Sequence, residues 1–314
     1  MRDDLDVRVF VLGATGTAGR STVPALLLAG HGVVAHARSP AAAAALSGRY
    51  GAAVTVSAVD AGDPVPLAAA LAGSGAVVDH RIALRAGVRA ALPSTQREYA
   101  ALRGPALAVV VDAALAVGVP RLVRDLVSFV YADGGDAWLD EGSPVEVSGP
   151  LAANLAAEAE VARFTAGGGA GIVLRCGQFY GPDDALSRHE LRLARRRLSV
   201  LPGRPDAWHS ALHVDDVGSA VVAALGVAAG VWNVVDDEPL RRRELASVLR
   251  QAVGLPASGP LLRLPAAVSS REPSLAVLAR SQRVGAAAFG AATGWVPTVG
   301  SRRQGWPAAA AAAR

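Results

Sequence analysis

The chain of 314 residues contains no lysine: all 31 of its Lys and Arg residues are arginine. No step of its chemistry can therefore pass a proton through a lysine. Cysteine is almost as scarce. Cys176 stands alone, which excludes an intrachain disulfide and suits a reducing compartment. It sits in an apolar, strand-like stretch and reads as a buried thiol. No uncharged apolar run is long enough to span a bilayer, and the acidic first six residues lack the basic and apolar parts of a signal peptide. A soluble, cytoplasmic protein with no membrane partner is expected. No group of His, Cys, Asp and Glu has metal-ligand spacing, and there is no Gly-x-Ser-x-Gly elbow.

What is present is ample for a core: 52% of residues are hydrophobic and 18% charged, a balance typical of one large domain or two intimate ones. The net charge is +4. Arginines cluster at Arg192, Arg195, Arg196 and Arg197, and again at Arg241, Arg242 and Arg243. Both clusters are short and no aromatic residue interleaves with them. They read as solvated helix faces, and no nucleic-acid partner is expected.

Strand-like segments at residues 7–12, 33–37, 54–58, 76–78, 121–128 and 171–175 alternate with helical runs at 19–29, 40–48, 66–72, 97–117 and 151–166. Apolar strands alternating with helices predict an α/β fold, a Rossmann-type doubly wound parallel sheet, with ligands at the carboxyl edge of the strands. Further on, a helix at 214–225 and a strand at 231–235 return to the sheet, and a helix follows at 241–253. The dinucleotide-binding domain is thus expected over 1–180 plus about 211–236. A smaller, interleaved substrate-binding lobe takes about 181–210 and 237–314. The alanine-rich tail, 307–314, is expected to fray.

The first strand runs into Gly13-Ala14-Thr15-Gly16-Thr17-Ala18-Gly19 and then a helix. Glycines there permit a tight turn and close backbone approach, and the helix N-terminus attracts phosphate, so Gly13, Thr15, Gly16, Thr17 and Gly19 form a dinucleotide cradle. Arg38, after the second strand, suits a 2′-phosphate and favours NADP, with NAD also possible. Asp60, followed by Ala61, either hydrogen-bonds the adenine amine or caps its own turn.

These segments resemble the extended short-chain dehydrogenases/reductases, the NAD-dependent epimerase/dehydratase family. The resemblance rests on the glycine motif, Asp112-Ala113-Ala114 with Gly118-Val119, Leu174-Arg175-Cys176-Gly177-Gln178-Phe179-Tyr180-Gly181-Pro182, His213-Val214-Asp215-Asp216-Val217, Trp232-Asn233-Val234-Val235 and Thr293-Gly294-Trp295-Val296-Pro297. It implies an Asn-Ser-Tyr-Lys tetrad in which tyrosine handles the proton and lysine lowers the tyrosine pKa and holds the nicotinamide ribose. By position, Ser128 falls near the serine. Pro150 and Asn154 stand where Tyr-x-x-x-Lys belongs, and Ala101 falls near the asparagine. Tyr99 and Arg103 have the tyrosine–cation spacing, but on a different helix; they read as surface or packing residues, because arginine does not titrate. After the fourth strand, Asp79-His80-Arg81 replaces the family's small residues, and Arg81 either crowds the cofactor or contacts a phosphate.

Ser128 and Tyr131 are the remaining candidates for chemistry, although Tyr131 reads more readily as packing. Gln178, Tyr180, Trp208 and His209 match segments that line the family's substrate cleft, whereas His213 and Asp215 look structural. The expected function is NAD(P)-dependent chemistry on a small organic substrate, with non-redox acid/base conversion (isomerisation, dehydration or cyclisation) favoured over ketone reduction. Residual redox chemistry is a further possibility, and a catalytically silent NADP sensor or scaffold is the alternative from another class. The family's dimers imply a homodimer through helices 97–117 and 151–166.

Overall fold

The computed structural model describes residues 7–83, 92–199, 203–258, 262–263 and 277–312. The acidic start at 1–6, Pro202 and the last two residues of the tail lie outside them. The first half runs β1 (Arg8–Leu12), α1 (Thr17–Leu28), β2 (Gly32–His36), α2 (Pro40–Tyr50), β3 (Val54–Ser57), α3 (Pro64–Leu71), β4 (Ala76–Asp79), α4 (Pro93–Arg103), α5 (Pro105–Ala116) and β5 (Arg121–Val127). Then come β6 (Trp138–Leu139), α6 (Ala152–Ala166), β7 (Ala170–Cys176), β8 (Gln178–Tyr180), α7 (Ala185–Arg195), β9 (Leu198–Ser199), β10 (Trp208–His209), β11 (Ala211–His213), α8 (Val214–Ala224) and β12 (Gly230–Val234). The chain continues through β13 (Leu240–Arg241), α9 (Arg242–Ala252), β14 (Leu262–Arg263) and β15 (Arg283–Val284) to two last helices, Ala287–Thr293 and Arg302–Ala312.

Seven parallel strands form the central sheet in the order β12-β7-β5-β4-β1-β2-β3. β1 shows why. Val9 and Val11 face one layer, with Val23 and Leu26 of α1 and Val217 and Val221 of α8. Phe10 and Leu12 face the other, with Leu67 of α3, Val110 of α5 and Phe164 of α6. Alternate residues point to opposite faces of a strand, so a continuous apolar run needs helices on both sides. α1 and α8 approach closely because Gly218 has no side chain; a Cβ there would lie 2.3 Å from the Ser21 carbonyl oxygen.

Two expected elements differ. The helical run expected over 97–117 is two helices. Gly104 leaves helical geometry, and Pro105, lacking an N–H, begins α5 where none is needed. By length and composition α4 and α5 together are apolar enough to cross a membrane, but they carry Arg97, Glu98 and Arg103 and lie against α3 and α6. The tail does not fray within the described residues. Its alanines continue the helix Arg302–Ala312, which buries Trp306, Ala309 and Ala310 against Leu191 and Leu245. Alanine costs nothing to hold in a helix, and its small face lets α7 and α9 come close. Arg192, Arg195, Arg196, Arg197, Arg241 and Arg243 keep some or much exposure, but Arg242 is buried, donating to the Leu278 and Arg280 carbonyls. The second arginine cluster is therefore only in part a solvated face.

Candidate active site

Gly13 takes φ +78°, and a Cβ on it would lie 3.0 Å from the His80 carbonyl carbon. A Cβ on Gly19 would lie 2.3 Å from the Gly13 carbonyl oxygen, so the first turn of α1 rests on its own loop. Thr15 and Gly16 are exposed at the top of that loop, and Thr17 is half-buried. Gly16 has no side chain to cap α1, and the first turn contains no acid. The leading N–H groups are left for an outside acceptor, with the positive end of the helix dipole behind them. This backbone fits a pyrophosphate. At the end of β2, Arg38 is exposed beside Ser39, whose hydroxyl accepts from the Ala42 N–H at 3.2 Å and caps α2. Asp60 accepts from the Gly62 N–H at 2.8 Å, with Ala61 buried beside it; of its two readings, the turn cap is the contact present.

The turn after β4 holds a buried charge network. Arg81 donates to Asp79 through Nε (2.9 Å) and Nη2 (2.8 Å), and Nη2 also donates to the Ala106 carbonyl at 3.0 Å. Arg124 of β5 donates to the carbonyls of Asp79 and Arg81. Burial opposes ionisation of Asp79, but the two guanidinium groups prevail and hold its carboxyl far below the ordinary range. His80 turns inward, its Nδ1 2.8 Å from Asp125 Oδ1 and its Nε2 2.9 Å from the Thr22 hydroxyl of α1. Asp125 is also held ionised: burial works against this, and His80, Arg124 and Arg103 outweigh it. An ionised carboxylate only accepts, so Nδ1 donates to Asp125, while Nε2 pairs with the Thr22 hydroxyl. The Arg81 guanidinium is folded back onto Asp79 and α5.

Past the end of β5, Ser128 is 1% exposed. The ring of Phe129, next in sequence, tilts against His209 at 6.2 Å. His209 Nε2 lies 2.7 Å from Gln178 Oε1, and Gln178 Nε2 donates to Glu190 at 3.0 Å. Burial, with Arg302 and Arg242 nearby, pushes the His209 pKa down, so the ring is neutral. Gln178 and His209 therefore meet beside the Ser128–Phe129 turn. The two tyrosines do not join them. Tyr131 is fully buried, donating to Asn233 at 2.7 Å beneath the Arg175 guanidinium. Tyr180 is fully buried edge-on to His213, 5.1 Å between ring centroids, and beside Trp306. Neither phenol offers surface to a ligand. Trp208 faces away, into a cavity of about 230 Å³ that it shares with Trp138 and Arg283. His213 accepts from the Asp215 N–H at 3.3 Å, and the Asp216 carboxylate accepts from the Val299 N–H at 3.0 Å.

The structure also joins three residues that the sequence leaves apart. Asn154, in the first turn of α6, meets both Tyr99 and Arg103 of α4. Arg103 Nε donates to Asn154 Oδ1 at 2.8 Å, Asn154 Nδ2 donates to the Tyr99 hydroxyl at 3.0 Å, and the guanidinium lies 3.9 Å from the Tyr99 ring centroid. Tyr99 is 7% and Arg103 1% exposed, so neither is a surface residue.

The sequence profile of the NAD-dependent epimerase/dehydratase family matches residues 9–234. A 3-diazoavenalumate denitrifying reductase from a Streptomyces species is 36% identical over 274 residues, 84% of this chain and 86% of that protein. The UDP-glucose 4-epimerase of Thermotoga maritima, solved with UDP-glucose, superposes with a TM-score of 0.78 at 17% identity, covering 97% of this chain and 98% of that one. The UDP-glucose 4-epimerase of Thermus thermophilus, solved with NAD, gives 0.74 at 21% identity, covering 98% and 99%. These two share the fold. From the glycine cradle after β1 to the last sheet strand, β12, the chain belongs to the NAD-dependent epimerase/dehydratase family, the extended short-chain dehydrogenases/reductases.

Proposed function

We propose that this enzyme is an NADP-dependent reductase whose acceptor needs no proton, with an arenediazonium or related diazo compound as the substrate class. The observation that carries this reading is the absence of a proton donor where the family resemblance calls for one. Pro150 and Asn154 stand at the Tyr-x-x-x-Lys positions, and no lysine exists elsewhere to replace it. Tyr131 and Tyr180 are sealed in the core, and His80 is held between Thr22 and Asp125.

A reduced nicotinamide, when bound, supplies a hydride. Gly13, Gly16 and Gly19 would hold its pyrophosphate, and the exposed Arg38 would take the 2′-phosphate that distinguishes NADP. A ketone also requires a proton on its oxygen as charge builds there. A cationic diazo carbon does not. The carbon–nitrogen bond breaks with its electron pair leaving in dinitrogen, a carbon–hydrogen bond replaces it, and no atom needs protonation. The chain's task reduces to holding the acceptor beside the strand ends, where Ser128, Gln178 and His209 lie, and positioning alone contributes heavily to rate. The Streptomyces relative, named for a diazo substrate and for denitrifying reduction, supports the same reading. This favours redox chemistry over the acid/base conversion expected from sequence.

The test is incubation of the enzyme with NADPH deuterated at nicotinamide C4 and an arenediazonium salt. Deuterium in the arene with release of dinitrogen is expected. Consumption of neither, alongside tight NADP binding, would refute the reductase reading in favour of a silent sensor.

A further inference from the structure

Arg283 lines the cavity of about 230 Å³ that also holds Trp138 and Trp208. Among the described residues its guanidinium makes no ion pair or hydrogen bond, and its Nε is buried without a partner. Two indoles hold it in place. The guanidinium carbon lies 4.1 Å from the Trp138 ring centroid and 4.4 Å from that of Trp208. The backbone sets one of these contacts, since β15 places Arg283 opposite Trp138 of β6. Trp208 is itself locked: its Nε1 donates to Asp136 at 2.8 Å, and Arg241 covers its ring at 4.4 Å. Arginine stacked on aromatic rings keeps its N–H edge for an oxyanion.

The same cavity is lined by the carboxylates of Asp237, Glu238 and Glu244. Glu238 and Glu244 are taken, because Arg303 donates to them at 2.9 and 3.0 Å. The exposed Asp237 carboxylate has no ion pair or hydrogen bond among the described residues, and it does not pair with Arg283. One uncompensated cation and one uncompensated anion therefore line a small chamber with indole walls and do not meet. A molecule that carries both charges complements them, where an anion alone would be opposed by Asp237 and a cation alone by Arg283. The volume falls below the ~300–1,000 Å³ of sites for drug-sized ligands, which suits a single amino acid. Trp138 remains 54% exposed, a flat apolar face for a ring to cover. We propose that this cavity binds a free α-amino acid with an aromatic side chain, its carboxylate on the N–H edge of Arg283, its ammonium on Asp237 and its ring against Trp138. The site shares no residue with the glycine cradle and stands independently of the dinucleotide reading.

The experiment is calorimetric titration of the whole protein with three compounds: L-phenylalanine, 3-phenylpropanoate, which lacks the ammonium, and phenethylamine, which lacks the carboxylate. Phenylalanine should bind, and each analogue should bind about tenfold or more weakly, the loss expected for one charge-assisted hydrogen bond. Arg283→Met should lower phenylalanine affinity to the phenethylamine level, and Asp237→Asn should lower it to the 3-phenylpropanoate level. Asp237 is exposed, so its variant and the two analogues decide the matter where Arg283→Met does not fold. Arg38→Gln, in the cradle's neighbourhood, should leave phenylalanine binding unchanged. No binding of phenylalanine at millimolar concentration, equal affinity for all three compounds, or an Asp237→Asn protein that binds phenylalanine as wild type does, overturns the site. None of these results bears on NADP binding, so the two readings fail separately.

Discussion

Asp236 should make the protein less stable as pH rises, and the asparagine variant should remove the effect. The carboxyl is 3% exposed, just past β12, and neither of its oxygens has a partner among the described residues. Burial raises its pKa from 3.8 to about 8; Arg302 pulls the other way without prevailing, and Asp237 and Glu238 add to the rise. Between those values the unfolded chain has released the proton and the native chain retains it. The native state then binds more protons than the unfolded state, so stability falls with rising pH, by up to about 1.4 kcal/mol per pH unit. The loss is absent below the unfolded value and complete above the folded one. Asp236→Asn has the shape of the neutral acid and nothing to titrate. Relative to wild type, it should gain roughly 2–4 kcal/mol between pH 5 and pH 8 and gain no more beyond. Urea unfolding of both proteins at pH 5, 6.5, 8 and 9 measures this, and the difference cancels the other titrating groups. A difference that stays flat with pH, or grows toward acid, would refute the reasoning.

Three further outcomes test the architecture. Gly19→Ala places a Cβ 2.3 Å from the Gly13 carbonyl oxygen, backbone against backbone, so titration should show NADP⁺ binding lost and thermal melting should show a lower midpoint. Arg38→Gln should weaken NADP⁺ about tenfold or more in calorimetry while leaving NAD⁺ unchanged, because only the former carries the 2′-phosphate. Trp306→Ala should cost about 3–5 kcal/mol in denaturant unfolding, since the fully buried indole anchors the last helix against Leu191 and Leu245.

The sheet and the glycine turn after β1 were legible because they are local. Residues 7–12 read as a strand buried on both faces, and the glycine triplet following it reads as a turn into a helix, whatever lies elsewhere. The return of the chain to the sheet near residue 231 was legible for the same reason, and β12 is that strand. What could not be read depends on partners far away in sequence. Tyr99 and Arg103 share a helix face, but only the packing of α4 on α6 shows that the face looks inward to Asn154. A weak signal existed. Arg124 and Asp125 interrupt an otherwise apolar strand beside Asp79-His80-Arg81, and charges in a buried strand must find one another. The tail misled because alanine composition alone does not reveal that Trp306 pins one face of the helix.

The strand-end edge also makes a kinetic claim that follows from its charges. Asp79 and Asp125 are held ionised by guanidinium groups, and guanidinium groups do not release protons near neutral pH. His80 is fixed between an acceptor-only carboxylate and a hydroxyl, and His209 is held neutral by burial. The Asp79 and Asp125 charges are therefore fixed between pH 6 and pH 7.5. A reaction that needs a general acid or base shows its pKa as a bend in the rate profile. A hydride acceptor that departs as dinitrogen and arene shows none. With a diazonium substrate, kcat/KM should be level across that range, and a bend near pH 6.5 would place a working imidazole at the site and reject a proton-free mechanism.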